Sequence, residues 1–67
     1  MRDTKVGIVL KGLREKKGLS QRALAAKAGV TQAYIAELES GARKNPTVAT
    51  LQRLAKALKV KVGELLE

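Results

Sequence analysis

Carboxylates are the first candidates for catalytic or metal-binding chemistry in this sequence. The 67 residues contain no His and no Cys, which excludes disulfides, thiolate and imidazole metal sites, and nearly all nucleophile–base pairs. Two of the acidic residues, Glu37 and Glu39, lie two positions apart, so on a helix their side chains point apart. No paired-carboxylate site is evident. We therefore expect no enzyme activity, no cofactor, no metal and no small-molecule ligand.

The chemistry that remains is charge attraction and hydrogen bonding. The net charge of +8 suggests a polyanionic partner, although a basic, solvated surface alone would also explain it. Residues 1–22 carry seven bases and two acids, residues 23–42 one base and two acids, and residues 43–61 six bases and no acid. Positive charge thus lies on both sides of the middle segment. This arrangement suits phosphates that flank a groove.

The middle segment has the pattern of two short helices joined by a turn. Ser20 can accept a free backbone N–H at the start of helix two, and Gly29 can adopt the left-handed conformation that ends it. Thr31 is a second N-cap candidate, and Gly41 follows the end of helix three. Helices this short must pack against each other and a third element. The pattern over about residues 21–40 predicts a helix-turn-helix, and with it DNA binding.

Three further helices are predicted around this motif. Helix one is expected from about Thr4 to Lys17, and a short helix five, expected to fray, over about Val62 to Leu66. Thr47 is expected to cap helix four. The apolar residues of helix four recur at the helical period and predict one buried stripe: Val48, Leu51, Leu54, Ala55 and Leu58.

The composition fits one all-α domain over residues 1–67. Hydrophobic residues make up 45% of the chain, with no Phe or Trp, so the core is expected to be aliphatic. No run approaches the length of an apolar membrane span, and the N-terminus lacks the apolar stretch of a signal peptide. We therefore expect a soluble, cytoplasmic protein without membrane contact.

Several segments resemble the lambda-repressor-like, Cro/C1-type (XRE-like) helix-turn-helix domains of bacterial and phage regulators. The segments that carry the resemblance cover nearly the whole chain and include Leu13 to Gln21, Leu24-Ala25, Gly29-Val30, Leu38-Glu39, Pro46-Thr47 and Leu54-Ala55. The resemblance implies a compact five-helix domain that binds double-stranded DNA, usually as a homodimer on a two-fold operator. It also implies a transcriptional regulator, in the first place a repressor.

Helix three carries the side chains that match the family's base-reading positions. These side chains also form one contiguous face opposite Ile35 and Leu38, which supports the assignment on geometric grounds. They are Gln32, Ala33, Ala36 and Glu37.

Each of these side chains can contact a base edge in a major groove. Gln32 can bond an adenine through two hydrogen bonds, and the methyl groups of Ala33 and Ala36 can contact a thymine methyl. Glu37 can accept from a cytosine amino group, or it can instead orient Arg43, since phosphates repel a carboxylate.

The resemblance also implies phosphate contacts. Gln21 matches a phosphate contact at the start of helix two, and a second group follows helix three. Tyr34 can reach a phosphate with its hydroxyl or pack its ring along Leu38. The expected phosphate-binding residues are Gln21, Arg22, Thr31, Tyr34, Ser40, Arg43 and Lys44.

Two further roles come from the resemblance alone. Arg14 and Glu39 match a partly buried ion pair, so we expect a structural role for both. A dimer contact is expected near Lys59, Val62 and Leu65; because lysines close to a two-fold axis repel, the dimer is expected to be weak until DNA holds both subunits.

One alternative function stays open. The same fold can serve as an antitoxin or other protein-partner module that binds DNA mainly for autoregulation. Salt dependence and sequence preference in DNA binding distinguish the two functions.

Overall fold

The computed structural model describes residues 5–66, which form five helices and no strand. The helices are α1 (Lys5–Lys16), α2 (Gln21–Ala28), α3 (Gln32–Ser40), α4 (Val48–Leu58) and α5 (Val62–Leu65). The predicted all-α, five-helix architecture is confirmed. Thr4, the predicted start of helix one, lies outside the described residues. Within them, no helix has the length and apolar character to cross a membrane.

Hydroxyl side chains begin the three central helices, as predicted. Each accepts the backbone N–H three residues later, at 2.9–3.1 Å: Ser20 from Ala23, Thr31 from Tyr34 and Thr47 from Thr50. Gly29 ends α2 with φ of 74°, a left-handed conformation that costs glycine little. Local hydrogen bonds and the conformation of Gly29 thus define both ends of the turn between α2 and α3.

Aliphatic side chains from all five helices fill the core. The largest fully buried ones are Leu10, Leu24, Ile35, Leu38, Leu54, Leu58 and Leu65. The buried stripe of α4 begins at Leu51, one turn later than predicted. Val48, the first residue of the helix, is 68% exposed, whereas Leu51 is buried. Helical periodicity assigned Val48 to the correct face, but the neighbouring helices do not cover that end of α4.

Gly7 allows α1 and α3 to approach closely. It is buried in α1, and a Cβ atom at this position would overlap the backbone carbonyl oxygen of Leu38 in α3. Gly12, in the same helix, is exposed and has open space where a Cβ would lie. The separation of α1 and α3 therefore depends on a missing methyl group.

An ion pair joins α1 to α3. Arg14 Nε donates to Glu39 Oε2 at 2.7 Å and Arg14 Nη2 donates to Glu39 Oε1 at 3.1 Å. Arg14 Nη1 donates to the Leu19 carbonyl at 2.8 Å, between α1 and α2. The side chains are 11% and 4% exposed, and the hydrogen bond to Glu39 raises the pKa of Arg14, which keeps the guanidinium charged. The pair that the family resemblance implied is therefore a direct contact.

The short helix α5 packs its leucine inward. Lys61 donates its backbone N–H to Glu64 Oε2 at 3.3 Å, and Leu65 is 0% exposed. The expected dimer contact at Leu65 is corrected accordingly, because a fully enclosed side chain has no surface for a partner. The exposed leucine at this end is Leu66, at 59%.

We predict that the two glycines of α1 respond oppositely to alanine. Gly7→Ala should lower the free energy of unfolding by about 2 kcal/mol, because the methyl group meets backbone that must move. Gly12→Ala, the matched control, should raise it by about 0.5–1 kcal/mol, because the helix gains propensity in open space. Urea unfolding followed by circular dichroism measures both. Equal stability of the two variants would contradict the close approach.

We predict that Arg14→Met destabilises the fold and leaves DNA sequence preference unchanged. The substitution strands the Glu39 carboxylate, which is 4% exposed, and should cost about 3 kcal/mol. The double variant Arg14→Met/Glu39→Leu should recover most of this loss, since it removes the unpaired charge. Thermal melting tests the first claim and selection of bound duplexes the second. A normal melting temperature with altered sequence preference would overturn the structural role.

Candidate nucleic-acid interface

α3 presents one outward face. Ile35 and Leu38 are fully buried on the other side of the helix, which fixes its rotation about its own axis. Four side chains on the solvent side form what we term the base-contact face. The first two are exposed and the last two are half-buried: Gln32, Ala33, Ala36 and Glu37.

The base-contact face lies on a helix without any Lys or Arg. Attraction to phosphates must therefore come from neighbouring segments. Arg22 is exposed in the first turn of α2, and Arg43 and Lys44 are exposed in the connection between α3 and α4. The structure thus separates the residues that can contact bases from the positive charges.

Gln21 lies beside α3. Its Nε2 atom donates to Glu39 Oε1 at 3.0 Å, so the ion pair with Arg14 also holds this amide in place. Gln21, Ala36 and Ser40 line one shallow surface hollow. Two expected phosphate-binding residues are therefore adjacent to the base-contact face.

Lys11 lines the same hollow and was not among the residues expected at a DNA interface. It is exposed on α1, three residues before Arg14 and hence on the same side of that helix. In the sequence, the three-residue spacing from Arg14 indicated only that Lys11 lies on the same side of α1. This spacing identifies Lys11 as an interface residue only when the packing of α1 against α3 is known.

Glu37, Arg43 and Tyr34 form a small exposed cluster. Arg43 Nε donates to Glu37 Oε1 at 3.1 Å, and the Arg43 guanidinium lies 5.0 Å from the centre of the Tyr34 ring. The Arg43 backbone N–H also donates to the Glu37 carbonyl, at 3.1 Å. The paired side chains are 52% and 45% exposed, so the pair itself stabilises the fold little. Its effect is to place Arg43 next to the base-contact face.

Two of the three hydroxyls expected at phosphates, those of Thr31 and Ser40, already have partners in the protein. Thr31 Oγ1 caps α3, and Ser40 Oγ donates to the Glu37 carbonyl at 3.2 Å while it accepts from Ala42 N–H at 3.3 Å. Phosphate binding by Ser40 would require its hydroxyl proton to leave the Glu37 carbonyl.

The carboxylates of residues 5–66 do not assemble into a metal site. Glu37 and Glu39 bind different arginines, Arg43 and Arg14. Asp3 and Glu67 lie outside the described residues.

Comparison with known proteins gives the family. A model of the HTH_3 helix-turn-helix family matches residues 10–65. The chain is 48% identical over 60 residues to the uncharacterized HTH-type transcriptional regulator y4dJ of Sinorhizobium fredii, covering 90% of this chain and 77% of the relative. It is 36% identical over 62 residues to the transcriptional regulator SinR of Bacillus subtilis, covering 92% of this chain. The chain spans about half the length of the Bacillus subtilis relatives that it matches, 56% of SinR and 41% of SlrR.

Solved structures of the family are similar throughout the fold. The restriction-modification controller protein C.AhdI from Aeromonas hydrophila has a TM-score of 0.88 and 39% identity, with 92% of each chain covered. SinR in its crystal structure with DNA has a TM-score of 0.89 and 35% identity, with 92% of this chain and 98% of that chain covered. The chain belongs to the Cro/C1-type helix-turn-helix family of DNA-binding transcriptional regulators.

Proposed function

We propose that this domain binds a two-fold DNA operator as a homodimer, with α3 in the major groove, and that it represses transcription by occupying the operator. The base-contact face carries the proposal, because its four side chains can contact base edges and all of them are accessible to solvent. The similarity to SinR, whose crystal structure is described as a complex with DNA, supports DNA as the partner.

The outward side chains of α3 recognise the bases. Gln32 bonds an adenine through its amide, and Ala33 and Ala36 contact thymine methyl groups. Glu37 has two roles that are compatible, because Oε1 accepts from Arg43 while Oε2 can accept from a cytosine amino group.

Phosphate contacts anchor the domain on both sides of α3. At the start of α2, free backbone N–H groups and the positive end of the helix dipole attract a phosphate near Gln21 and Arg22. On the other side, Arg43 keeps Nε on Glu37 and offers its remaining N–H groups to a phosphate. Tyr34, Thr31, Ser40 and Lys44 complete the proposed contacts.

The proposed dimer contact lies near the connection between α4 and α5. Lys59 and Val62 belong to it as expected, and Leu66 takes the place that Leu65 cannot fill. The lysines repel across the two-fold axis, so the dimer forms mainly on DNA, where adjacent half-sites supply a high effective concentration.

Selection of bound duplexes from a random pool tests the base contacts. We predict that Gln32→Ala lowers affinity for the selected sequence by about 5- to 150-fold for each subunit and relaxes the preference at one position of each half-site, because the amide's two hydrogen bonds are lost. Gln52 is an exposed glutamine of α4 outside the base-contact face, and Gln52→Ala should change neither quantity. Unchanged selection by Gln32→Ala would refute the assignment of α3 to the major groove.

Salt dependence tests the phosphate contacts. If each subunit meets about four phosphates, affinity for the selected duplex should fall with salt at a log–log slope of roughly −7. Lys44→Gln should reduce the size of the slope by roughly 2, one contact in each subunit. Lys16→Gln removes an equally exposed lysine from α1 and should leave the slope unchanged. A shallow slope without sequence preference would favour the protein-partner module instead.

A further inference from the structure

A second basic surface lies away from α3. A groove of about 660 Å³ runs between the C-terminal ends of α2 and α4, and none of its lining residues belongs to α3. A smaller hollow adjoins it and shares Lys27, Ala57 and Lys59 with it. Together the two depressions form what we term the basic groove. They contain no acidic residue, and their charged side chains are Lys17, Lys27, Arg53, Lys56 and Lys59.

Helix ends account for part of this charge. Lys17 follows α1, Lys27 lies in the last turn of α2, and Lys59 is the C-cap of α4, positions at which cations stabilise helices. Three helix C-termini together contribute roughly −1.5 elementary charges. The five cations outweigh this by roughly 3.5 charges, so the basic groove retains an attraction for an anionic partner.

The floor of the basic groove is small and apolar. Ala26, Ala28 and Ala57 line it together with Gly29; Ala28 is 5% exposed, so the accessible methyl groups between the charged side chains are those of Ala26 and Ala57. The alkyl stems of the lysines extend this apolar surface. A partner that fits must combine negative charge with small apolar groups.

A peptide suits the small apolar floor of this surface better than a nucleic-acid backbone does. The carbonyl ends of α2 and α4 point towards the basic groove and repel phosphates and carboxylates alike, so an anion here is bound by the basic side chains. A nucleic-acid backbone carries a charge at every repeat and has no methyl-sized side chains between its charges. An acidic peptide can pair its carboxylates with the rim and place alanine-sized side chains on the floor.

We propose that the basic groove binds an acidic segment of another protein, with Asp and Glu side chains paired to Lys27, Arg53 and Lys56. The proposal is independent of DNA recognition by α3. Lys59 belongs both to the basic groove and to the proposed dimer contact, so an operator-bound dimer accepts an acidic segment that pairs with Lys27, Arg53 and Lys56 and leaves Lys59 to the dimer.

A synthetic helical peptide of repeated Glu-Ala-Ala-Glu units is the probe. In amide NMR spectra of the domain, the peptide should shift resonances from the C-terminal halves of α2 and α4 and leave those of α3 in place. The variant Lys27→Gln/Arg53→Gln/Lys56→Gln should weaken peptide binding roughly tenfold, because three ion pairs at an exposed rim are lost. The matched control Lys5→Gln/Lys16→Gln/Lys61→Gln loses the same charge outside the groove and should weaken binding less than about twofold.

Three results would overturn the proposal. Peptide-induced shifts centred on α3 would show that the peptide competes for the DNA surface, and equal weakening in the two triple variants would show that only net charge matters. A larger loss of binding to random duplex DNA than to the peptide in the groove variant would assign the groove to nucleic acid. Melting curves establish that each variant folds; if the groove variant does not, Lys27→Gln and Lys56→Gln are tested singly.

Discussion

The Arg14–Glu39 ion pair stabilises the packing of α3 on α1, and with it the fold that presents the base-contact face. Glu39 lies two residues after Glu37 of the base-contact face, so the two side chains point in different directions from α3. The contact that holds the Glu39 carboxylate inside the protein therefore also orients Glu37 towards solvent. The same carboxylate binds the Gln21 amide at the start of α2. The absence of a side chain at Gly7 then sets how near α1 and α3 lie. The spacing between the proposed phosphate and base contacts thus follows from interactions inside the protein.

Separation of charge from base contact has a physical advantage. Lysines and arginines bind phosphates of any sequence, so positive charge on α3 would strengthen binding to all DNA alike. The uncharged amide of Gln32 and the methyl groups of Ala33 and Ala36 contribute to affinity only where the matching base edge is present. The one acidic residue of the base-contact face, Glu37, is partly neutralised by Arg43 at 3.1 Å. Arg43 therefore limits the repulsion that a carboxylate would otherwise meet from phosphates.

Local features of this fold were predictable from sequence, and long-range ones were not. Ser20, Thr31 and Gly29 determine helix ends through bonds to residues within one turn, so their types and spacing were sufficient. Periodicity identifies a buried face but not how far neighbouring helices cover it, which is why Val48 was predicted to be buried and is exposed. The expected dimer contact at Leu65 came from the family resemblance, and the packing of α5 in this chain encloses that side chain. The tight contact at Gly7 and the place of Lys11 beside Gln21 depend on how α1 packs on other helices. The family resemblance supplied the Arg14–Glu39 pairing, which spacing alone does not show.

The polarity of α2 separates two basic surfaces of this chain. Its N-terminus lies at the proposed phosphate contact and its C-terminus at the basic groove. A helix of 8 residues spans about 12 Å, which exceeds the screening length of about 8 Å at physiological ionic strength. An anion bound at one end of α2 therefore reduces only weakly the attraction of the other end for a second anion. The proposed DNA surface and the basic groove of this +8 domain are consequently better described as two distinct anion-binding surfaces than as one general affinity for polyanions.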